Sequence, residues 1–111
     1  MTYHPKQGDI VILDFNPQAG HEQAGRRPGL VISNAQYHKY TNSLALVCPI
    51  TNTLTQFPLH IQLDNRTKIA GVIMCEQVKA LDLNARRAAF AEILPKDLLH
   101  EVMERVILSV E

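Results

Sequence analysis

Residues 43–51 read SLALVCPIT, a nearly continuous apolar run that ends in the turn-like TNTLTQFP of residues 51–58. Such a run reads as a strand buried on both faces or nearly so. Pro49 is a poor resident of a central strand because it has no N–H for the ladder, so an edge or a bend is expected there, aiming Thr51 towards a groove. Upstream, GLVISN (29–34) reads as another strand, whose Ser33 can cap a short helix over NAQYHKY (34–40). Further back, GDIVILDF (8–15) alternates and is β-branched, and NPQAGHEQAGRRPG (16–29) forms a long first loop rich in Gly, Pro and polar residues.

Downstream, PLHIQL (58–63) alternates, DNRTKIAG (64–71) looks like a turn, and GVIMCEQVKAL (71–81) reads as one long strand. DLNARR (82–87) is a short helical or turn segment and AAFAEI (88–93) a last strand. Pro95 then opens a helix, with Leu99, Val102, Met103, Val106, Ile107 and Val110 on one stripe and Glu101, Glu104 and Arg105 opposite. Six or seven short strands and one terminal amphipathic helix, without β-α-β alternation, predict a mainly β chain: a small, strongly bent antiparallel barrel.

At 111 residues and 46% hydrophobic content, the chain is expected to form a single unit over residues 1–111. It carries no apolar run of spanning length and no signal-peptide pattern, so a soluble, cytoplasmic protein is expected. Cys48 and Cys75 both fall in apolar runs, which favours buried free thiols over a disulfide or a metal pair. The five histidines, His4, His21, His38, His60 and His100, show no metal-ligand spacing. Net charge is zero, against a protein that holds duplex nucleic acid by bulk charge. Residues 1–90 nevertheless hold nine Lys/Arg against six Asp/Glu, and residues 91–111 two against five, which leaves room for an anion-binding surface on the body.

HEQAGRRPGLVIS (21–33), with GDIVILDFNP before it and VCPIT (47–51) after it, resembles the MazF/PemK/Kid family of endoribonuclease toxins. The likeness continues through GVIMCEQVKALDLNAR (71–86) and the closing helix, so it covers essentially the whole chain in order. It implies an SH3-like barrel with a C-terminal helix, akin to CcdB, assembling as a homodimer. It further implies metal-independent, sequence-specific cleavage of single-stranded RNA, usually messenger, to a 2′,3′-cyclic phosphate and a 5′-hydroxyl. An antitoxin with a flexible acidic tail is the implied partner, and no cofactor is called for.

Such cleavage needs a base for the 2′-hydroxyl, donors for the charge that builds on phosphorus, and an acid for the leaving oxygen. Arg27 matches the arginine of the family's G-x-R-P motif, and its fork of donors suits a phosphate. Its pKa makes it a stabiliser or proton donor more readily than a base. Thr51 matches the threonine closing the strand motif, where a hydroxyl can donate to a phosphate oxygen. His21, Glu22 and Glu76 are the candidate bases, with His21 best tuned to neutral pH. Some relatives pair the loop histidine with an acid and an arginine of the later strand, but the arginine position here is Met74. For reading the RNA, the first loop offers Gln18, Gln23 and Arg26, flanked by Pro28, with Asn52 beyond the strand motif. Gln77 and Lys79, alternating with Cys75 on one strand face, and Arg86 of the NAR segment extend the surface. Two rival readings are a CcdB-like toxin that binds gyrase and cuts nothing, and an inactive RNA-binding homologue.

Overall fold

The computed structural model describes residues 3–15, 25–42, 44–53 and 57–111. In chain order these form β1 (Asp9–Asp14), β2 (Arg26–Val31), α1 (Ala35–Thr41), β3 (Leu44–Thr51), β4 (His60–Gln62), β5 (Val72–Met74), β6 (Lys79–Asp82), β7 (Ala89–Ile93) and α2 (Lys96–Val110). All strand pairs are antiparallel, in the order β4-β5-β3-β2-β1-β7, with β6 also pairing with β3. The expected mainly β chain with a terminal helix is what forms. Among the described residues no ladder joins β7 to β4 or β6, so the sheet is not closed, where a barrel had been expected.

β3 organises the sheet, and its apolar run has the expected cause. Ala45 and Val47 face one cluster, with Val11, Leu13, Phe15, Val31, Leu81 and Leu83. Cys48 and Ile50 face the other, with Ile10, Leu30, Ile73, Leu98 and Val102. Both faces are therefore covered, and each fully buried Val or Ile stabilises the fold by about 1.5–3 kcal/mol relative to exposure.

β3 also explains why residues 71–81 are not the single strand expected from their composition. Residues Leu44–Val47 pair with β6, whereas Ile50 and Thr51 pair with β5. Between them the neighbour changes, and Cys75–Gln77 fold into a 3-10 turn. Pro49, which has no N–H to give, sits in β3 at this changeover, so the bend anticipated there is an exchange of partners.

Two helix details differ from expectation. Asn34, not Ser33, caps α1: its Oδ1 accepts the Tyr37 N–H at 3.0 Å. Ser33 is instead buried, taking the Leu46 N–H on its Oγ at 2.9 Å. In α2, Leu98 joins Val102 as the buried pair and Leu99, Met103 and Val106 pack at the margin. Ile107 and Val110, placed on the same stripe by periodicity, are 45% and 80% exposed, so the buried stripe does not run the length of the helix. No helix is long and apolar enough to cross a membrane among the described residues.

Candidate active site

Arg27 lies on β2 opposite Leu13 of β1, and Thr51 ends β3. The β2–β3 ladder pairs Val31 with Val47, Leu30 with Cys48 and Gly29 with Pro49. The ladder ends at Gly29 and Pro49; continued by two residues, the same register would bring Arg27 level with Thr51. Side chains alternate along each strand, so Arg27 shares the face of Gly29 and Val31, and Thr51 that of Pro49 and Val47. By alternation Arg27, a half-buried residue, and Thr51, only 6% exposed, belong to the same face of the sheet.

Thr51 is held from two sides. Its Oγ accepts the Thr53 N–H at 3.3 Å, an acceptor role that leaves the hydroxyl proton for another oxygen. Its backbone is pressed by Gly71, where a Cβ would stand 2.2 Å from the Thr51 carbonyl oxygen; Gly71 also has φ +124. Only glycine fits both demands. The sequence gives a hint of this in the glycine preceding VIM, but only the fold shows which backbone it meets.

Around this pair the expected site residues scatter. Pro28 is half-buried beside Arg27, and Asn52 is exposed just past Thr51. Lys79 pairs with Val47, four residues along the strand from Thr51, roughly 13 Å at the rise of a strand. Gln77 lies in the 3-10 turn, so the alternation that had put it with Lys79 and Cys75 on one strand face does not hold. Cys75 is buried under α2.

Glu76 is not brought to Arg27 and Thr51. It lines a cavity of about 560 Å³ on the α2 side with Leu46, Leu59, Val78, Val106 and Val110. Its Oε2 is 3.0 Å from Nε2 of His60. That imidazole is 8% exposed, lies edge-on to Phe57 with ring centroids 5.0 Å apart, and buries Nδ1 without a partner. Met74, opposite His60 in the β4–β5 ladder, is 8% exposed. Gln18, His21, Glu22 and Gln23 lie outside the described residues.

Arg26 and Arg86 meet at Asp14, a residue that the sequence did not single out. Arg26 pairs with the Asp14 carboxylate at 3.3 Å and donates to the Arg87 carbonyl at 3.0 Å. Arg87 holds the same carboxylate at 2.8 Å. The Arg86 guanidinium donates to the Asp14 carbonyl, and the Asp14 N–H to the Arg86 carbonyl. The hydrogen bond from Arg87 keeps the Asp14 carboxyl below the usual carboxylate range; desolvation opposes it, and the hydrogen bond from Arg26 and the charges of both arginines add to the lowering.

Among the described residues no three His, Cys, Asp or Glu side chains gather as a metal-ligand set. What Arg27 and Thr51 can offer together is a fork of N–H donors and one O–H donor converging on a tetrahedral oxyanion.

Residues 6–110 match the model of the PemK-like, MazF-like toxin of type II toxin–antitoxin systems. The chain is 31% identical over 105 residues to the endoribonuclease PemK of Escherichia coli, covering 91% of this chain and 78% of that protein. Among solved structures, MazF from Deinococcus radiodurans superposes with a TM-score of 0.89 at 38% identity, over 98% of this chain and 100% of that one. A MazE–MazF complex from the same organism superposes with a TM-score of 0.83 at 38% identity, over 99% and 100% of the two chains.

Proposed function

This chain belongs to the PemK-like, MazF-like toxin family of type II toxin–antitoxin systems, and from that membership we propose that it is an endoribonuclease toxin, a single unit over residues 1–111 acting in the cytoplasm on single-stranded RNA. Its relatives include proteins named endoribonucleases and a toxin solved with MazE, which supports an antitoxin of that kind as partner. What supports the catalytic reading is the β2–β3 register, which ends at Gly29 and Pro49 and, continued by two residues, would bring Arg27 level with Thr51.

In the proposed reaction the 2′-oxygen attacks the adjacent phosphorus, the bond to the 5′-oxygen breaks, and a 2′,3′-cyclic phosphate and a 5′-hydroxyl result. The Arg27 guanidinium meets the charge that grows on the non-bridging oxygens, and the Thr51 hydroxyl donates to one of them. Arg27 is built to stabilise or to donate, so the proton of the 2′-hydroxyl goes to another group, for which His21 and Glu22 of the first loop are the candidates. Glu76 is engaged with His60 on the other side of the sheet and is the weaker candidate. Lys79, Gln77, Asn52 and Arg86 are proposed to hold the RNA on either side of the scissile bond.

The exposed apolar end of α2, with Leu108 70% and Val110 80% exposed, supports a protein-covered surface there, for a second copy of the chain or for the antitoxin.

The test is incubation of the purified chain with a long defined single-stranded RNA in EDTA, with end mapping, beside Arg27→Ala and Thr51→Ala. Cuts at one short motif that fall about 100-fold or more in the variants are expected. An uncut RNA, with the chain folded and free of antitoxin, would overturn the enzyme reading in favour of gyrase binding or an inactive RNA-binding homologue.

A further inference from the structure

Arg87 combines three features. It is a non-glycine residue in the left-handed region, with φ 54. Its side chain is 74% exposed. And the carboxylate it holds, Asp14, is already engaged by Arg26. Left-handed backbone at a long cationic residue is uncommon, and such outliers concentrate where a side chain has to be delivered to a particular place. One carboxylate shared by two guanidinium groups leaves the cluster with net positive charge. An exposed ion pair of this kind contributes little to stability, so the fold itself gains little from the arrangement.

The cluster sits at the end of the sheet that carries Arg27. Asp14 pairs with Arg26, the neighbour of Arg27 on β2, and Arg87 approaches from the turn between β6 and β7. Alternation puts Arg26 on the opposite side of the strand from Arg27, so the cluster cannot share the scissile phosphate. It stands at the rim of the sheet, where β1 ends at Asp14 and β2 begins at Arg26, one residue beyond Arg27.

We propose that Arg87 and Arg26 form a second phosphate position for the single-stranded RNA, in which an RNA phosphate replaces Asp14 as the anion held by the two guanidinium groups. This rests on the RNA-cleaving reading above. Asp14 then acts as an internal competitor: it holds the two arginines in place in the free protein and yields them to the nucleic acid. No bond is made or broken, since one set of charge-assisted hydrogen bonds replaces another.

The proposal fixes the sign of two substitutions that a purely structural ion pair would not. Removing the competitor, as Asp14→Asn, is expected to tighten RNA binding; a structural role predicts weaker binding or none. Removing the cation, as Arg87→Gln, is expected to weaken binding. Arg87→Gly should do the same while relieving the left-handed backbone, so weaker binding cannot be put down to a damaged fold.

The measurement is fluorescence anisotropy of the full chain with a labelled, 2′-O-methylated single-stranded RNA of about 20 nucleotides, which no 2′-hydroxyl chemistry can cleave, across a salt series. Each phosphate contact to a single strand contributes about 0.7 to the slope of log affinity against log salt. Both Arg87 variants are expected to lose about that much slope. Unchanged slopes in both, or weaker binding by Asp14→Asn in a folded chain, would overturn the second phosphate position. Wild-type protein that fails to bind this RNA at any salt, and fails to cut unmodified RNA in parallel, would overturn the RNA reading itself.

Discussion

The Cβ that Gly71 lacks would stand 2.2 Å from the carbonyl oxygen of Thr51, so the start of β5 and the end of β3 touch through bare backbone. Gly71→Ala must push the two strands apart while forcing alanine to φ +124. We expect a loss of roughly 2 kcal/mol or more in urea unfolding and a fall in RNA cleavage at temperatures where the variant stays folded. An alanine variant with unaltered stability and cleavage would show that Gly71 does not position Thr51.

Thr51→Val and Thr51→Ser separate hydroxyl from shape. Removing one transition-state donor costs about 100- to 1,000-fold in rate in comparable sites. Thr51→Val is expected to lose cleavage on that scale, with Thr51→Ser retaining most of it, as read from initial rates on one defined RNA. Equal rates for serine and valine would assign Thr51 a packing role.

His38 supplies a pH dependence of stability. Its Nε2 lies 2.6 Å from the Ser33 Oγ, and burial disfavours its charged form, lowering its pKa from the ordinary value in spite of smaller opposing effects from the Pro5 backbone and Asp9. A histidine that binds its proton more weakly when folded leaves the unfolded chain with more protons below about pH 6.5, so stability falls as pH drops through that range. Urea midpoints between pH 8 and pH 5 should show this decline, and His38→Gln should flatten it. A wild-type chain as stable at pH 5 as at pH 8 would exclude the effect.

The two thiols should be inert. Burial pushes the Cys75 thiol up to about 11 and raises Cys48 further, and both are free and buried. Reaction with a thiol reagent at pH 8 is expected only on unfolding, with labelling rates that follow urea concentration. Fast labelling of the native chain would contradict the packing of β3 beneath α2.

The sequence by itself determined the class of the fold and the family, and it supplied the proposed catalytic pair as a motif. SLALVCPIT is apolar at nearly every position because β3 is covered on both faces, and a period of that kind is local information. The terminal helix was legible for the same reason, down to Val102. Arg27 and Thr51 were legible as a motif, but the β2–β3 register on which their proposed apposition rests was not: it depends on which strand β3 pairs with and in what register, a long-range choice that no local pattern encodes.

Only the tertiary structure decided the rest. It broke residues 71–81 at Cys75–Gln77, because β3 changes partner around Pro49. It turned Glu76 towards His60, which lies on a strand distant in sequence. And it gathered Asp14, Arg26, Arg86 and Arg87 at one point, although Asp14 and Arg87 are separated by 73 positions. Such contacts follow from the closing of loops around a packed core, and a sequence read along its length records the residues without the distances between them.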